Sequence, residues 1–166
     1  LGMSSMNKII LVIDRLPLKG YVVLIATDPV TGQEIARREN RNLIVTVGKQ
    51  LIGDMLIDVA GYDTGITYCA IGTGSAAPAV GNTTLATEAG TRQTITTKSR
   101  SGNVISLRTF FAAANCSINI AESGLFGHST ASGTVNTGVL FSRALVAYNN
   151  SGGGADITIL WTITIG

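Results

Sequence analysis

The run Asp156-Ile157-Thr158-Ile159-Leu160-Trp161-Thr162-Ile163-Thr164-Ile165 places isoleucine or tryptophan at every second position, with threonine or leucine between. Side chains alternate between the two faces of a strand, so one face of this run is wholly apolar. At the edge of a sheet such a strand would recruit other chains. The run therefore reads as the central strand of a β-sandwich, with Trp161 in the core.

Working outward, a two-residue period begins at about Ile66. Residues 66–71, 93–98, 104–111, 117–121 and 138–148 read as strands separated by Gly, Ser, Asn and Pro clusters. Ser101-Gly102-Asn103 predicts a tight hairpin, because Gly and Asn tolerate left-handed backbone. Before Ile66 the period is four. Val47, Leu51, Met55 and Val59, with Ile52 and Leu56 beside them, predict one amphipathic helix over 46–59, capped by Thr46 and ended by Gly61. Farther upstream, residues 8–13 and 21–27 are β-rich. Asp28-Pro29-Val30-Thr31-Gly32 then turns the chain into residues 33–38, Pro29 presetting φ and Gly32 accepting a positive φ. The expectation is an all-β, jelly-roll-like sandwich with one amphipathic helix across an open end. Residues 1–41 form an N-terminal arm and charged meander, and residues 42–166 the sandwich.

Charge is distributed unevenly. From Thr109 to Gly166 the only Asp, Glu, Lys or Arg residues are Glu122, Arg143 and Asp156. A monomer of this size exposes roughly 7,800 Å², and charged side chains normally occupy about a quarter of a soluble surface. Either neighbouring subunits cover the charge-poor part or a hydroxyl-rich exterior suffices. The first reading points to an assembly protein, since interface cores are depleted of charge. The net charge of +2 argues against nucleic acid as a partner, and the cluster Arg37, Arg38 and Arg41, interleaved with Glu34 and Glu39, reads as a solvated strand edge. No apolar run approaches the roughly 18 to 20 residues that span a bilayer. Ile9 to Ile13 stops at Asp14 and Arg15 and is too short for a signal-peptide core, so the product is expected to stay in the compartment where it is made.

The chemistry-bearing residues are few. Cys69 and Cys116 match no metal-ligand spacing and read as small buried apolar residues, with a disulfide open if their strands pair. His128, the single histidine, sits in a Gly/Ser/Thr stretch and reads as a loop residue. Gly72-Thr73-Gly74-Ser75 follows a strand but lacks the Gly-Lys-Ser/Thr closure and the helix that a phosphate loop requires. It reads as a long ordered surface loop whose small residues suit lying flat on another chain. Glu122, alone in a nearly neutral sheet, has no obvious catalytic mate. It is expected to pair with Arg143 or Arg108, or to accept backbone N–H bonds. No catalytic residue, cofactor or metal site is expected.

Several motifs, taken in order, resemble a family of tailed-bacteriophage structural proteins. They are Asn42-Leu43-Ile44-Val45 before the helix, Ile66-Thr67-Tyr68-Cys69-Ala70-Ile71-Gly72-Thr73-Gly74, Ala77-Pro78-Ala79-Val80, and Thr84-Leu85-Ala86. Ser99-Arg100-Ser101-Gly102-Asn103-Val104, Ala121-Glu122-Ser123-Gly124-Leu125-Phe126 and Leu160-Trp161-Thr162-Ile163-Thr164 continue the likeness. The resemblance implies a virion component made in the bacterial host cytoplasm. The short chain, without heptads or Gly-X-Y repeats, favours a capsid decoration or cement protein on the capsid surface over a long fibre. Its expected partners are the major capsid protein and copies of itself, as a dimer or trimer, with no nucleic acid and no membrane. The alternative is a tail-fibre or baseplate module for host attachment. Such a module would expose aromatic residues, whereas Phe110, Phe111, Phe126, Phe141 and Trp161 mostly read as core.

Overall fold

A computed structural model describes residues 17–59 and 64–166. These form an all-β sandwich with one helix. In chain order the elements are β1 (Leu18–Thr27), β2 (Glu34–Arg41), β3 (Leu43–Ile44), α1 (Thr46–Leu56), β4 (Ile66–Gly72) and β5 (Gln93–Thr94). They continue with β6 (Thr97–Ser101), β7 (Val104–Phe111), β8 (Asn119–Gly127), β9 (Val139–Asn149) and β10 (Asp156–Ile165). One antiparallel sheet, here sheet A, has the order β2-β1-β10-β7-β6, and sheet B has the order β3-β9-β8-β4-β5. The strand-like residues 8–13 and the helix terminator Gly61 lie outside the described residues.

β10 is the middle strand of sheet A, paired with β1 from Leu18↔Ile165 to Thr27↔Asp156 and with β7 on its other side. Ile157, Ile159, Trp161 and Ile163 point between the sheets and are buried, Trp161 completely. They meet Leu125, Phe141 and Val146 of sheet B. Residues 18–41, read as the charged meander, contribute Val22, Leu24 and Ala26 to the same core. β2 is an exposed edge strand of mixed charge, which protects the sheet against edge-to-edge pairing. The turn before it is held by Asp28, whose carboxylate accepts the Val30 and Thr31 N–H groups at 2.8 and 2.7 Å, while Gly32 takes φ 71°.

Four local expectations are corrected. The strand expected over 93–98 divides, because Ile95 N–H donates to Thr67 of sheet B and the next amide, Thr96, donates to Arg108 of sheet A. Here the chain changes sheets. The strand expected over 117–121 runs on to Gly127, since residues 122–127 are buried on both faces and so show no alternation. The helix starts with Val45, not Thr46, at the N-cap position and has no side-chain cap; the Thr46 N–H is instead satisfied by the Val80 carbonyl at 2.8 Å. It ends at Leu56 because Asp58 adopts φ 56° and the Val59 and Asp58 N–H groups fold back on the Asp54 and Met55 carbonyls, a Schellman closure without glycine. Phe110 also departs from the expected core set. It shares a face with Arg108, opposite that of Phe111, and stands 39% exposed on the outside of sheet A.

Candidate functional site

The connection from β4 to β5 crosses the outer face of sheet B as a strap, and Glu122 on β8 lies beneath it. The carboxylate of Glu122 is fully buried. It accepts the Gly74, Ala86 and Thr87 backbone N–H groups at 3.2, 3.0 and 2.7 Å, and Arg143 Nε at 2.6 Å. Arg143, on the neighbouring strand β9, is 1% exposed. Its other nitrogens donate to the Ala76 carbonyl at 2.8 Å, to Asn82 Oδ1 at 3.0 Å and to the Ala77 carbonyl at 3.5 Å. The acid thus satisfies donors of the strap and the base satisfies its acceptors. A buried ion pair is stable when such additional bonds complete it. Of the partners expected for Glu122, the structure selects Arg143 together with backbone amides; Arg108 lies on the outer face of sheet A.

Small residues allow this approach. A Cβ on Gly72 would lie 2.3 Å from the Thr87 carbonyl oxygen, and one on Gly74 would lie 2.4 Å from Glu122 Oε1. The loop expected to lie flat on another chain therefore lies flat on sheet B of its own chain. Leu85 descends from the strap into a second small core with Val45, Ala70, Phe126 and Leu140. A second ion pair closes the strap's far end. Arg92 is 4% exposed and donates to Glu88 Oε2 at 2.8 Å and to the Thr137 carbonyl at 2.8 Å, and its guanidinium stacks 3.8 Å from the Phe126 ring centroid. Nothing in the sequence singles out Arg92, because the four-residue acid–base spacing marks a pair only on a helix and residues 88–92 are not helical.

All three charged residues of the charge-poor third have internal work. Glu122 and Arg143 pair, and Asp156 Oδ1 accepts the Ala113 N–H at 2.8 Å. The strands that carry them, β8, β9 and β10, are central strands. Part of the missing surface charge is thus explained by burial within the chain itself.

Chemically, the clasp is closed. A general acid or base must come within hydrogen-bond reach of a substrate, and Glu122 has no accessible surface. Cys69 and Cys116 are free and buried. Burial pushes both thiols up to about 11, the Ser123 hydroxyl offsetting part of this at Cys69 and Asn150 part at Cys116. His128 lies just after β8 at φ 76°, its Nδ1 2.7 Å from Thr130 Oγ1. Among the described residues no three His, Cys, Asp or Glu side chains cluster as metal ligands. No family model, curated protein or solved structure matches the chain, so the strap and its clasp are read from their own chemistry.

Proposed function

We propose that the chain is a structural protein of a tailed-bacteriophage virion, and within that class a capsid decoration or cement protein that stabilises the head shell. The observation that carries this reading is the strap. Residues 73–87 contain no charged side chain, and Ser75, Ala76, Ala77, Ala79 and Val80 are exposed along it. Charge depletion is characteristic of the centre of a protein interface. The clasp beneath holds this surface in one conformation, which lowers the ordering cost of binding. Some of the motifs that carry the phage resemblance lie here: Thr73-Gly74, Ala77-Pro78 and Thr84-Leu85-Ala86 belong to the strap, and Glu122 is its anchor, while Ser99 to Val104 and Leu160 to Thr164 lie on sheet A. Cement acts by mass action, since a protein that binds the assembled shell and not its separated parts stabilises the shell.

The test compares virions with and without the chain. Heads lacking it are expected to release DNA at lower temperature while adsorbing to host cells normally, and the complete virion is expected to hold hundreds of copies. Normal shell stability with failed adsorption, and a handful of copies, would move the protein to the tail. One observation favours that second reading, a tail-fibre or baseplate module. Tyr21 and Phe110 are each 39% exposed on the outer face of sheet A, beside arginines.

A further inference from the structure

The two sheets differ in charge. The strands of sheet A carry seven cations (Lys19, Arg37, Arg38, Arg41, Lys98, Arg100, Arg108) against three acids (Glu34, Glu39, Asp156), whereas those of sheet B carry only the buried pair. Sheet B is covered on its outer side by the strap. Sheet A has no such cover among the described residues.

Strand register arranges the outer face of sheet A in rows. In the middle row Glu39 lies beside Val23, Val23 beside Leu160, and Leu160 beside Arg108. The row above runs Arg37, Ile25, Thr158, Phe110, and the row below runs Arg41, Tyr21, Thr162, Ser106. The centre is aliphatic, and aromatic and arginine side chains surround it, as in the core and hot-spot rim of protein interfaces. In the middle row opposite charges flank the aliphatic pair, an acid on β2, Glu39, whose carboxylate also accepts the Tyr21 hydroxyl, and a base on β7, Arg108, with Thr97 of β6 beyond it.

We propose that this face docks on the same face of a second copy, about a two-fold axis that runs along the strands between β1 and β10. Rotation about that axis lays β2 of one copy over β7 of the other and keeps each row in register with itself. Glu39 then meets Arg108 of the second copy, and by symmetry this pair forms twice. Val23 meets the second copy's Leu160, and Arg37 meets the ring of its Phe110, a cation–π contact. Two sheets stacked face to face with aligned strands are the ordinary geometry of a sandwich. Under this rotation the acid and the base of the middle row are each complementary to the same row of the second copy.

Size sets the expected strength. Four strands about 4.8 Å apart, with ten-residue strands rising about 3.3 Å per residue, give a flat footprint of roughly 630 Å² per copy. Doubled, this is near the lower bound of about 1,200 Å² for stable interfaces. The dimer is therefore concentration-dependent. It needs nothing from the virion reading, because it is a property of the purified chain.

The experiment is sedimentation equilibrium of the full chain over a concentration series, with circular dichroism melts to verify folding. The wild type is expected to dimerise reversibly, and Leu160→Asp to be monomeric. Glu39→Arg and Arg108→Glu are each expected to weaken the dimer tenfold or more, and the double charge swap to restore it. A wild type that stays monomeric overturns the proposal. So does an oligomer indifferent to Leu160→Asp, and so does a charge swap that fails to restore what the single substitutions weakened. None of these outcomes bears on shell stability, so this inference and the cement reading fail separately.

Discussion

Replacing Glu122 by glutamine keeps the shape of the side chain and removes the charge on which the strap depends. The carboxylate receives four donors, three from the strap backbone and one from Arg143. A carboxamide presents one acceptor oxygen and one NH₂ group, so at least one of these donors must face another donor. Arg143 meanwhile remains buried without its counter-charge. Breaking a buried pair from one side costs about 3–5 kcal/mol, a large part of the roughly 5–15 kcal/mol that holds a domain together. For a chain of this length each kcal/mol moves the Tm by about 2–4 °C, so the expected fall is roughly 6–20 °C. Urea melts followed by Trp161, the single tryptophan, measure the loss. Hydrogen exchange at Gly74, Ala86 and Thr87 locates it, and these amides should lose protection before the rest of sheet B. The Glu122→Leu/Arg143→Leu double variant separates charge from hydrogen bonding. An isolated ion pair is often replaced by apolar residues without loss, but here three backbone N–H groups would stay orphaned at about 1–3 kcal/mol each. The double variant is thus expected to remain destabilised. If Glu122→Gln lies within about 1 kcal/mol of wild type and exchange at the three amides is unchanged, the clasp does not hold the strap.

Two glycines in α1 test the packing of the helix with opposite signs. Gly53→Ala meets open space and should stabilise by about 1 kcal/mol through helix propensity, whereas Gly48→Ala puts a Cβ 2.1 Å from the Phe141 carbonyl oxygen and should destabilise; equal effects in thermal melts would refute the placement of the helix on β9. Asp58→Gly should stabilise by about 0.5–1 kcal/mol, because glycine accepts φ 56° without the cost paid by a Cβ, and an unchanged melt would argue against the Schellman closure. Trp161→Ala empties a fully buried site between the sheets and should cost about 3–5 kcal/mol, measured by chemical denaturation; a cost below 1 kcal/mol would place the indole outside the core. The raised thiols give a pH test with a definite sign: unfolded cysteines ionise near 9.0 and the native ones near 11, so their contribution is complete below about 9 and is lost as pH climbs toward 11. Native protein at pH 8 should also resist a thiol reagent, and rapid labelling of both cysteines would contradict their burial.

Several features were legible in the sequence because they follow from local periodicity or local turn chemistry. The alternation from Ile157 to Ile165 requires a buried face whichever sheet receives it, and the four-residue spacing from Val47 to Met55 requires an amphipathic helix. The Asp28 to Gly32 and Gly102-Asn103 turns lie where their residues permit unusual backbone. Other features depended on which segments meet. Residues 122–127 show no period because the strap covers one of their faces and the core the other, and no local rule anticipates that cover. Thr46 has the right chemistry for a cap, yet the Val80 carbonyl, brought by the strap, takes its N–H. The glycines of Gly72-Thr73-Gly74 announce close approach in any context. That they approach Glu122, 48 residues later, is a matter of tertiary geometry. The charge-poor last third made the same point at larger scale, since composition records how few charges there are but not what covers the remainder. Local sequence determines the backbone conformations open to each segment. Burial and the pairing of Glu122 with Arg143 arise only when distant strands become neighbours, because desolvation and charge pairing depend on distances in space and not on separations along the chain.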